Sequence, residues 1–245
     1  MAEPLIVIPA RYASSRFPGK PLAEVAGKSL LSRVWARCVQ ALPPERVVVA
    51  TDDERIATHC TAQGMAYVMT PSDCPTGTDR VHHVARQMDA SVYINVQGDE
   101  PLIEPGDIRT VIEAAQRYPG EVVNAYCAIE AEADFRNPNV PKVVVAPDGR
   151  LLYMSRAAVP TDKQLGFRAA WKQVCIYALP AAPLAAFFEA GSKTTVEAIE
   201  DIEILRFLEL GHTVRMVAVS SASIAVDVPE DVARVEEALG ADAAS

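Results

Sequence analysis

The chain has 245 residues, a net charge of −9, 50% hydrophobic residues and 6% aromatic residues. This composition is typical of a globular protein with a sizeable buried core, and it excludes fibrous and disordered classes. The acidic balance argues against sequence-independent binding to nucleic acid, which requires an excess of Lys and Arg to neutralise phosphates. We therefore expect no nucleic-acid partner, although an anionic ligand can still bind where basic residues cluster.

Neither a secretion signal nor a membrane span is predicted. Residues 1–9 lack a basic segment followed by a long apolar segment. No apolar run approaches the ~20 residues that a transmembrane helix needs. The five cysteines are scattered and odd in number, a pattern typical of reduced, mostly buried thiols in a cytosolic protein. We expect a cytoplasmic protein with no membrane partner.

The first half of the chain alternates predicted strands with predicted helices. Short apolar runs predict strands at residues 5–8, 46–50, 65–69 and 91–96. Apolar positions at helical spacing predict helices at residues 29–42, 53–63 and 79–88. This alternation predicts an α/β fold with a mostly parallel central sheet and helices on both faces. In such sheets a ligand binds outside the carboxyl ends of the strands.

The second half of the chain has a different pattern. Strands are predicted at residues 121–130, 142–146, 150–153, 171–179, 214–219 and 224–228. Helices are predicted at residues 196–210 and 229–239. A Pro-Asp-Gly turn joins two of the strands into an antiparallel hairpin. We expect a single domain over residues 1–245, with an antiparallel extension at about residues 121–180 that carries a dimer contact.

A polar loop at residues 11–20 directly follows the first predicted strand. It contains three cations, two of which, Arg11 and Lys20, stand at its ends, and two serines, Ser14 and Ser15. The cations can pair with phosphate oxygens, while the hydroxyls and backbone N–H groups add donors. The spacing matches neither a Walker A loop nor a dinucleotide fingerprint. The alternative is a solvated basic loop, but the position after a buried strand favours a phosphate site.

Carboxylates follow two predicted strands. Asp99 and Glu100 come after the strand at residues 91–96, and Asp227 ends the strand at residues 224–226. Each alone is most often an ordinary strand-end acid. Together with a phosphate loop they favour a magnesium site, because Mg²⁺ prefers few protein ligands plus phosphate oxygens and water.

The segment Thr76-Gly-Thr-Asp-Arg80 precedes a predicted helix. Thr78 or Asp79 can cap that helix, which is a purely structural interpretation. The functional interpretation is that Gly77 lets the backbone approach a pyrimidine or a ribose.

Basic residues also occur in the second half. Lys142 supplies a cation there, and Arg156 could bind a substrate carboxylate with two hydrogen bonds. Glu203 and Arg206 lie three residues apart in the predicted helix, so a surface ion pair is their simplest interpretation.

Eight segments, in this order along the chain, resemble the family of 3-deoxy-manno-octulosonate (Kdo) cytidylyltransferases, also called CMP-Kdo synthetases. The first is Ile8-Pro-Ala-Arg-Tyr-Ala-Ser-Ser-Arg-Phe-Pro-Gly-Lys-Pro-Leu22. The others are residues 49–53, 76–80, 95–102, 137–142, 152–156, 175–177 and 226–231. Because the segments extend over nearly the whole chain, the resemblance is far more specific than any single motif.

The resemblance implies a Rossmann-like nucleotidyltransferase fold and a homodimer. It also implies CTP and an acidic sugar as substrates, Mg²⁺ as the cofactor and a role in lipopolysaccharide biosynthesis. The implied reaction is in-line attack of the sugar's anomeric hydroxyl on the α-phosphorus of CTP, with release of pyrophosphate. Such a reaction needs positioning and charge neutralisation rather than a covalent nucleophile.

The resemblance also implies roles for individual residues. Catalytic roles would fall on Arg11, Lys20, Asp99 and Asp227, and the two aspartates would hold the metal. Nucleotide binding would fall on Ala10, Arg11, Ser14, Lys20, Thr76, Gly77, Thr78 and Arg80. The sugar acid would contact Gln97, Arg156, Gln173, Tyr177 and Glu203.

Two positions depart from the family pattern. Gln173-Val-Cys-Ile-Tyr177 stands where many members have His-Leu-Gly-Ile-Tyr. Glu203-Ile-Leu-Arg206 stands where they have Glu-Gln-Leu-Arg. Both positions belong to the family's sugar pocket, and both changes alter its hydrogen-bonding capacity.

Three functions are therefore compared. Kdo is the preferred acceptor, and 8-amino-Kdo or another nonulosonic acid is the alternative acceptor. The third hypothesis is a non-catalytic nucleotide-binding protein. Lys20, Asp99 and Asp227 argue against it, because binding alone does not require both metal carboxylates.

Overall fold

The computed structural model describes residues 3–14, 16–220 and 224–243. Ser15, predicted to donate a hydrogen bond in the polar loop, lies outside these residues. The chain divides into two compact units. Unit 1 lies within residues 1–109 and 222–245, and unit 2 within residues 110–221. The single domain expected over residues 1–245 stays a prediction.

The secondary structure alternates as expected in the first half of the chain. The strands are β1 (Leu5–Ala10), β2 (Glu24–Val25), β3 (Lys28–Ser29), β4 (Val47–Thr51), β5 (Tyr67–Met69), β6 (Tyr93–Val96), β7 (Val122–Ala128), β8 (Lys142–Val145), β9 (Leu151–Ser155), β10 (Trp171–Leu179) and β11 (Val214–Ala218). The helices are α1 (Leu30–Ala41), α2 (Glu54–Gln63), α3 (Gly77–Ala85), α4 (Pro105–Arg117), α5 (Glu132–Arg136), α6 (Ala181–Glu189), α7 (Thr195–Glu200), α8 (Ile204–Glu209) and α9 (Asp231–Ala243).

Unit 1 contains a parallel arrangement of four strands in the order β6-β1-β4-β5. β1 and β4 are apolar along almost their whole length and buried, as strands covered on both faces require. The register places Ala10 opposite Thr51, and Val7 opposite Asn95. Because the strands are parallel, the loops that follow β1, β4 and β6 leave the same edge.

Two helices of unit 1 begin at side-chain caps. The Ser29 side chain accepts a hydrogen bond from the backbone N–H of Ser32 at the start of α1. Asp53 caps α2 in the same way through the N–H of Arg55, and α2 ends at Gly64 with φ 67°. A left-handed residue after a helix favours glycine, because other residues are strained there.

Three predictions in unit 1 were wrong in detail. β1 was predicted to end at Ile8 but continues through Pro9 to Ala10. Its pairing with β6 ends at Val7, so Pro9 pairs only with β4. α3 starts at Gly77, and its cap is Thr76, which forms a capping box with Asp79. The cap is therefore neither of the two residues predicted.

Residues 224–228, predicted as a strand, have no regular secondary structure. The Val226 N–H instead donates to the backbone oxygen of Asp99 at 2.9 Å. The Val226 side chain is buried with Val25, Leu30 and Val235. This packing ties the segment to unit 1 without adding a strand.

Unit 2 combines one parallel and three antiparallel strand pairs. β11 lies parallel to β7, β7 lies antiparallel to β10, and β8 pairs antiparallel with both β10 and β9. The predicted hairpin is confirmed: β8 and β9 are joined by a turn in which Gly149 has φ 86° and its N–H donates to Ala146. The antiparallel extension therefore lies in unit 2.

The predicted helix at residues 196–210 is in fact two short helices, α7 and α8. Asp201 ends α7 in the left-handed conformation, with φ 52°. The break allows the carboxylate of Glu197 to face the guanidinium of Arg206. Arg206 is 1% exposed, so the predicted surface pair between Glu203 and Arg206 was wrong.

Helices α4, α5 and α6 were not predicted from the sequence. α6 is apolar on nearly all sides, which removes the periodic signal of an amphipathic helix. Among the residues that the structure describes, no helix is long and apolar enough to cross a bilayer. The five cysteines are free thiols, and four of them are buried.

Candidate active site

The polar loop and the two predicted metal carboxylates meet in unit 1. The ammonium Nζ of Lys20 lies 2.7 Å from Oδ2 of Asp99 and 3.8 Å from Oδ1 of Asp227. Nη2 of Arg16 lies 3.0 Å from the same Asp227 oxygen. The structure therefore gathers two cations and two carboxylates, contributed by three separate chain segments, around one point.

The turn before Lys20 directs its side chain toward the carboxylates. Gly19 has φ 74°, a conformation that favours glycine. Its N–H donates to the backbone carbonyl oxygen of Tyr12 at 2.9 Å. The Lys20 backbone N–H donates to the backbone oxygen of Phe17. The Phe17 N–H in turn donates to the Ser14 hydroxyl oxygen at 3.2 Å. Ser14, predicted to bind nucleotide, thus stabilises the loop that carries Lys20.

Asp99 is positioned by a close approach between two strand ends. A Cβ at Gly98 would lie 2.8 Å from the backbone oxygen of Pro9, which is closer than real Cβ contacts allow. Only glycine therefore lets the loop after β6 lie against β1. The Val226 N–H then holds the backbone of Asp99 from the other side.

Asp227 is fixed by the start of α9. The carboxylate of Asp231 accepts hydrogen bonds from the N–H groups of Asp227 and Val228, at 2.9 and 3.1 Å. Burial alone would raise the pKa of Asp231, but these two N–H groups and Arg234 bring it below its ordinary value. The carboxylate therefore stays charged and keeps the Asp227 segment in place.

The cluster remains open to a ligand. Side-chain exposure is 16% for Lys20, 26% for Asp99 and 44% for Asp227. Two carboxylates with water and phosphate oxygens are the donor set that suits Mg²⁺. Among the described residues there is no cluster of three or more His, Cys, Asp or Glu side chains that could hold a metal ion by themselves. Lys20 already lies near both carboxylates, and Arg16 lies near Asp227, so the carboxylates attract positive charge.

The start of α3 lies beside the loops that follow β1 and β6. A Cβ at Gly77 would contact the Gln97 carboxamide at 3.4 Å and the Pro9 ring at 3.5 Å. Gln97 and Gly77 are thus neighbours, and Ala10 is buried at the end of β1. Arg11, the next residue, is exposed.

Three other predicted nucleotide residues are already engaged in the fold. The Thr76 hydroxyl forms the capping box with Asp79. Thr78 is 2% exposed, and Arg80 is 3% exposed. The Arg80 guanidinium donates to the Thr70 hydroxyl at 2.6 Å and to the Asp52 carboxylate at 2.9 Å.

A polar cluster lies between β7 and β10 of unit 2. The amide nitrogen of Asn124 donates to the backbone oxygens of Val174 and Ile176, at 2.9 and 3.0 Å. The Asn124 oxygen must then face Gln173, whose amide nitrogen donates to it at 3.1 Å and to the Tyr177 hydroxyl at 3.2 Å. Two of the predicted sugar residues, Gln173 and Tyr177, are therefore brought together.

Of the other predicted sugar residues, Gln97 belongs to unit 1, whereas Arg156 and Glu203 lie elsewhere in unit 2. The Arg156 guanidinium donates to the backbone oxygens of Glu200, Pro138 and Asp201. This engagement differs from the open guanidinium that we expected for binding a carboxylate. Glu203 occupies the residue before α8.

Lys142 and Ile204 are both interior residues. The Lys142 ammonium is fully buried and donates to the backbone oxygens of Asn137 and Arg156, at 2.8 and 2.7 Å. Burial, followed by the nearby Arg156, lowers its pKa. Ile204 is 1% exposed, so its side chain contributes to packing.

Sequence reasoning gave no role to Arg16, Asn124 or Asp231. Arg16 was visible only as one of three cations in a loop. Asn124 did carry a signal, since it is a polar residue inside an otherwise apolar strand. Asp231 follows a proline at a predicted helix start, where an acidic cap is common.

The chain is similar to known cytidylyltransferases. The cytidylyltransferase family model matches residues 5–214. The 3-deoxy-manno-octulosonate cytidylyltransferase of Syntrophotalea carbinolica is 40% identical over 244 residues, which cover 95% of this chain and 97% of that protein. The 8-amino-3,8-dideoxy-manno-octulosonate cytidylyltransferase of Shewanella oneidensis is 38% identical over 242 residues, which cover 97% of this chain and 98% of that protein.

Solved structures give the same result. A CMP:2-keto-3-deoxy-manno-octonic acid synthetase complexed with CTP matches with a TM-score of 0.92 and 34% identity, over 98% of this chain and 100% of that one. A cytidylyltransferase from Leptospira borgpetersenii, at 14% identity and a TM-score of 0.66 over 98% of this chain and 88% of that one, shows the fold alone. The α/β nucleotidyltransferase fold and the resemblance inferred from the motifs are confirmed. The chain therefore belongs to the cytidylyltransferase family and is a CTP-dependent nucleotidyltransferase.

Proposed function

We propose that the protein transfers the CMP group of CTP to Kdo, giving CMP-Kdo and pyrophosphate. The observation that carries this proposal is the contact of the Lys20 ammonium with Asp99, 3.8 Å from Asp227. A cation between two carboxylates suits a triphosphate and its counter-ion. The identity to a Kdo cytidylyltransferase over nearly the whole chain supports Kdo as the sugar.

Mg²⁺ is the proposed cofactor, and Asp99 and Asp227 are the residues that would hold it. Their part-exposed carboxylates match the oxygen ligands that Mg²⁺ prefers. When bound, Mg²⁺ would supply positive charge against the triphosphate and lower the pKa of the attacking sugar hydroxyl.

The cations of the polar loop are assigned to the phosphates. Lys20 would donate to an oxygen of the triphosphate while it keeps its contact with Asp99. Arg16 and the exposed Arg11 would neutralise the charge that develops on the departing pyrophosphate. These residues hold the α-phosphorus in line with the sugar hydroxyl, so the reaction proceeds by positioning rather than through a covalent intermediate.

The start of α3 is assigned to the nucleoside. Gly77 has no side chain, so its backbone can lie against Gln97 and Pro9 and can also approach a ribose or a pyrimidine closely. Arg80 would act on the nucleoside site indirectly, because its guanidinium is hydrogen-bonded to Thr70 and Asp52. Thr76 and Thr78 would shape the first turn of the helix.

A second acceptor, 8-amino-Kdo, is favoured by the orientation of Gln173. Its amide nitrogen is occupied by Asn124 and Tyr177, so its oxygen is the atom that can accept a further hydrogen bond. An ammonium group on the sugar would form a stronger, charge-assisted bond with that oxygen than a hydroxyl would. The relative from Shewanella oneidensis bears the name of such an enzyme.

Pyrophosphate release tests the proposal directly. The purified protein is mixed with CTP, Mg²⁺ and either Kdo, 8-amino-Kdo or N-acetylneuraminic acid, and kcat/KM is compared among the acceptors. We expect turnover with Kdo or 8-amino-Kdo. Failure to release pyrophosphate with every acid would contradict the proposed reaction, and a preference for 8-amino-Kdo would select the second acceptor.

We also infer a cytoplasmic homodimer that supplies an activated sugar for lipopolysaccharide. Exposed apolar side chains on the antiparallel strands, Leu152 at 57% and Trp171 at 37%, support self-association through unit 2. Light scattering coupled to gel filtration measures the mass of the particle, and a monomer at micromolar concentration would contradict the dimer.

A further inference from the structure

The ring of Tyr12 is held between two groups of unit 1. On one side, a Cβ at Gly19 would lie 3.0 Å from the ring, so the glycine backbone lies directly against it. On the other side, the guanidinium carbon of Arg55 lies 3.3 Å from the ring centroid. The Gly19 N–H also donates to the backbone carbonyl oxygen of Tyr12. The two ends of the polar loop are therefore joined through this ring, directly before Lys20.

Arg55 is itself held in place. Its Nε and Nη2 donate to the two oxygens of Asp53, at 2.8 and 2.6 Å. Asp53 also caps α2. A planar guanidinium fixed by two hydrogen bonds stacks on an aromatic ring with little further loss of entropy. The stack thus adds a connection between the start of α2 and the polar loop.

We propose that Arg55 is a positioning residue for the triphosphate site, acting on Lys20 through Tyr12 and Gly19. The proposal rests on the proposed function, because it assigns Lys20 to the phosphates. Arg55 contacts neither Lys20 nor Asp99. Its effect is to order the loop before CTP binds, so that binding does not have to supply the ordering entropy.

This role predicts a specific kinetic pattern. If the loop must be ordered on binding, the KM for CTP rises while kcat and the KM for the sugar stay the same. A residue that only stabilises the fold would instead lower the active fraction, and so lower the apparent kcat with an unchanged KM. An exposed cation–aromatic contact corresponds to about a two- to five-fold change in KM.

Arg150 offers a matched control in the same chain. It forms the same kind of pair as Arg55, with an aspartate two residues earlier, and the Arg150 Nε lies 2.7 Å from the Asp148 carboxylate. No stacking on a ring is found for Arg150 among the described residues. Arg150→Ala therefore removes an exposed ion pair without removing a stack.

The experiment compares Arg55→Ala, Arg55→Lys, Tyr12→Leu, Arg55→Ala/Tyr12→Leu and Arg150→Ala. The first readout is steady-state kinetics with varied CTP. The second is hydrogen exchange of the Gly19 and Lys20 amides without nucleotide. We expect Arg55→Ala and Tyr12→Leu each to raise the KM for CTP about two- to five-fold and to speed exchange, with no further rise in the double variant. Arg55→Lys should recover part of both effects, and Arg150→Ala should change neither.

Several outcomes would overturn the proposal. One is an Arg55→Ala variant that matches Arg150→Ala in both readouts. Others are a lower kcat with unchanged KM, faster exchange with unchanged KM, or effects of the two single substitutions that multiply in the double variant. The exchange readout needs no turnover, so an enzyme inactive with every sugar would contradict the proposed function and leave the order of the loop measurable.

Discussion

Two clusters of charged residues, one in unit 1 and one in unit 2, are used in different ways. In unit 1, Lys20, Asp99 and Asp227 converge but remain between 16% and 44% exposed. In unit 2, the Arg206 and Glu197 side chains are 2% and 0% exposed and bind each other. Both clusters contain the cations and acids expected of a binding site, but only Lys20, Asp99 and Asp227 remain accessible to a ligand.

The difference has a physical origin. Burying a charge is costly unless the surrounding groups satisfy its hydrogen bonds. The hydrogen-bonding groups of a buried ion pair are therefore occupied within the fold and are not available to a ligand. Lys142 and Arg156 follow the same rule, since backbone oxygens accept their N–H groups. A charged residue is therefore a good candidate for ligand binding when its hydrogen bonds are incomplete and its surface is open.

The largest expected effect is on the buried pair. Glu197→Gln removes the charge that compensates Arg206, so we expect the free energy of unfolding to fall by about 3–5 kcal/mol. Urea denaturation measures it. Asp148→Asn, in a pair where both side chains are more than half exposed, is the control and should cost less than about 1 kcal/mol. Equal losses in the two variants would remove the distinction between buried and exposed charged pairs.

The open carboxylates should show the opposite behaviour. Asp99→Asn and Asp227→Asn should lower kcat by about 10²- to 10³-fold, because they remove charge that stabilises the transition state. Their thermal unfolding should change little. Pyrophosphate release at saturating CTP measures the rate, and removal of Mg²⁺ with EDTA should stop the wild-type reaction. A loss of less than about ten-fold would exclude the carboxylate from the metal site.

Two lysines give a direct test of the comparison. Lys20→Ala should raise the KM for CTP and slow the chemical step with little change in stability. Lys142→Met should lower the free energy of unfolding by about 1–3 kcal/mol, because two buried backbone oxygens lose their donor. Kinetics and urea denaturation are measured on both variants. The reverse pattern, with Lys20 stabilising the fold and Lys142 setting the KM, would contradict our assignments.

A smaller effect is expected at the polar cluster of unit 2. Gln173→His restores the residue that many family members have and removes the oriented carboxamide oxygen. We expect the ratio of kcat/KM for Kdo to that for 8-amino-Kdo to rise several-fold. The KM for CTP should stay the same and serves as the internal control. An unchanged acceptor ratio would show that Gln173 does not choose the sugar.

The smallest effect concerns a titratable group that serves the fold in unit 1. His59 Nε2 lies 2.8 Å from the Ser29 hydroxyl and 3.0 Å from the Ser32 hydroxyl. Burial lowers the pKa of His59. Below pH about 6.5 the unfolded chain therefore binds a proton that the folded chain does not, and stability falls as the pH decreases toward the folded-state pKa.

Thermal unfolding between pH 5 and pH 8 measures this dependence. His59→Gln should unfold with a flatter pH profile than the wild type. Parallel profiles for the two proteins would show that His59 does not carry the effect. The comparison between the units would then have to be made without His59.

The sequence predicted the elements that depend on local patterns. β1 and β4 are apolar runs and β6 is mostly apolar, and the structure has all three strands. Asp99 and Asp227 were selected because they follow predicted strands, and they do meet, although Asp227 follows an irregular segment rather than a strand. Strand-end position explains the placement of Asp99, because parallel strands bring their carboxyl ends together. Asp227 is placed instead by the hydrogen bond from the Val226 N–H to the Asp99 backbone.

The features that depend on tertiary contacts could not be predicted. The apolar periodicity continues through Asp201, so nothing local shows that the helix breaks there. The pairing of Arg206 with Glu197 follows from that break and not from their spacing. The backbone oxygens that accept from Arg156 are likewise invisible in the sequence, because any residue type can supply them.

Unit 1 is built from two stretches of chain, and Asp227 belongs to the later one. During synthesis, a ribosome must therefore translate the whole of unit 2 before the second carboxylate emerges. A nascent chain that ends within unit 2 holds Lys20 and Asp99 without Asp227. The cluster of Lys20, Asp99 and Asp227 would thus be complete only after the whole of unit 2 has been synthesised.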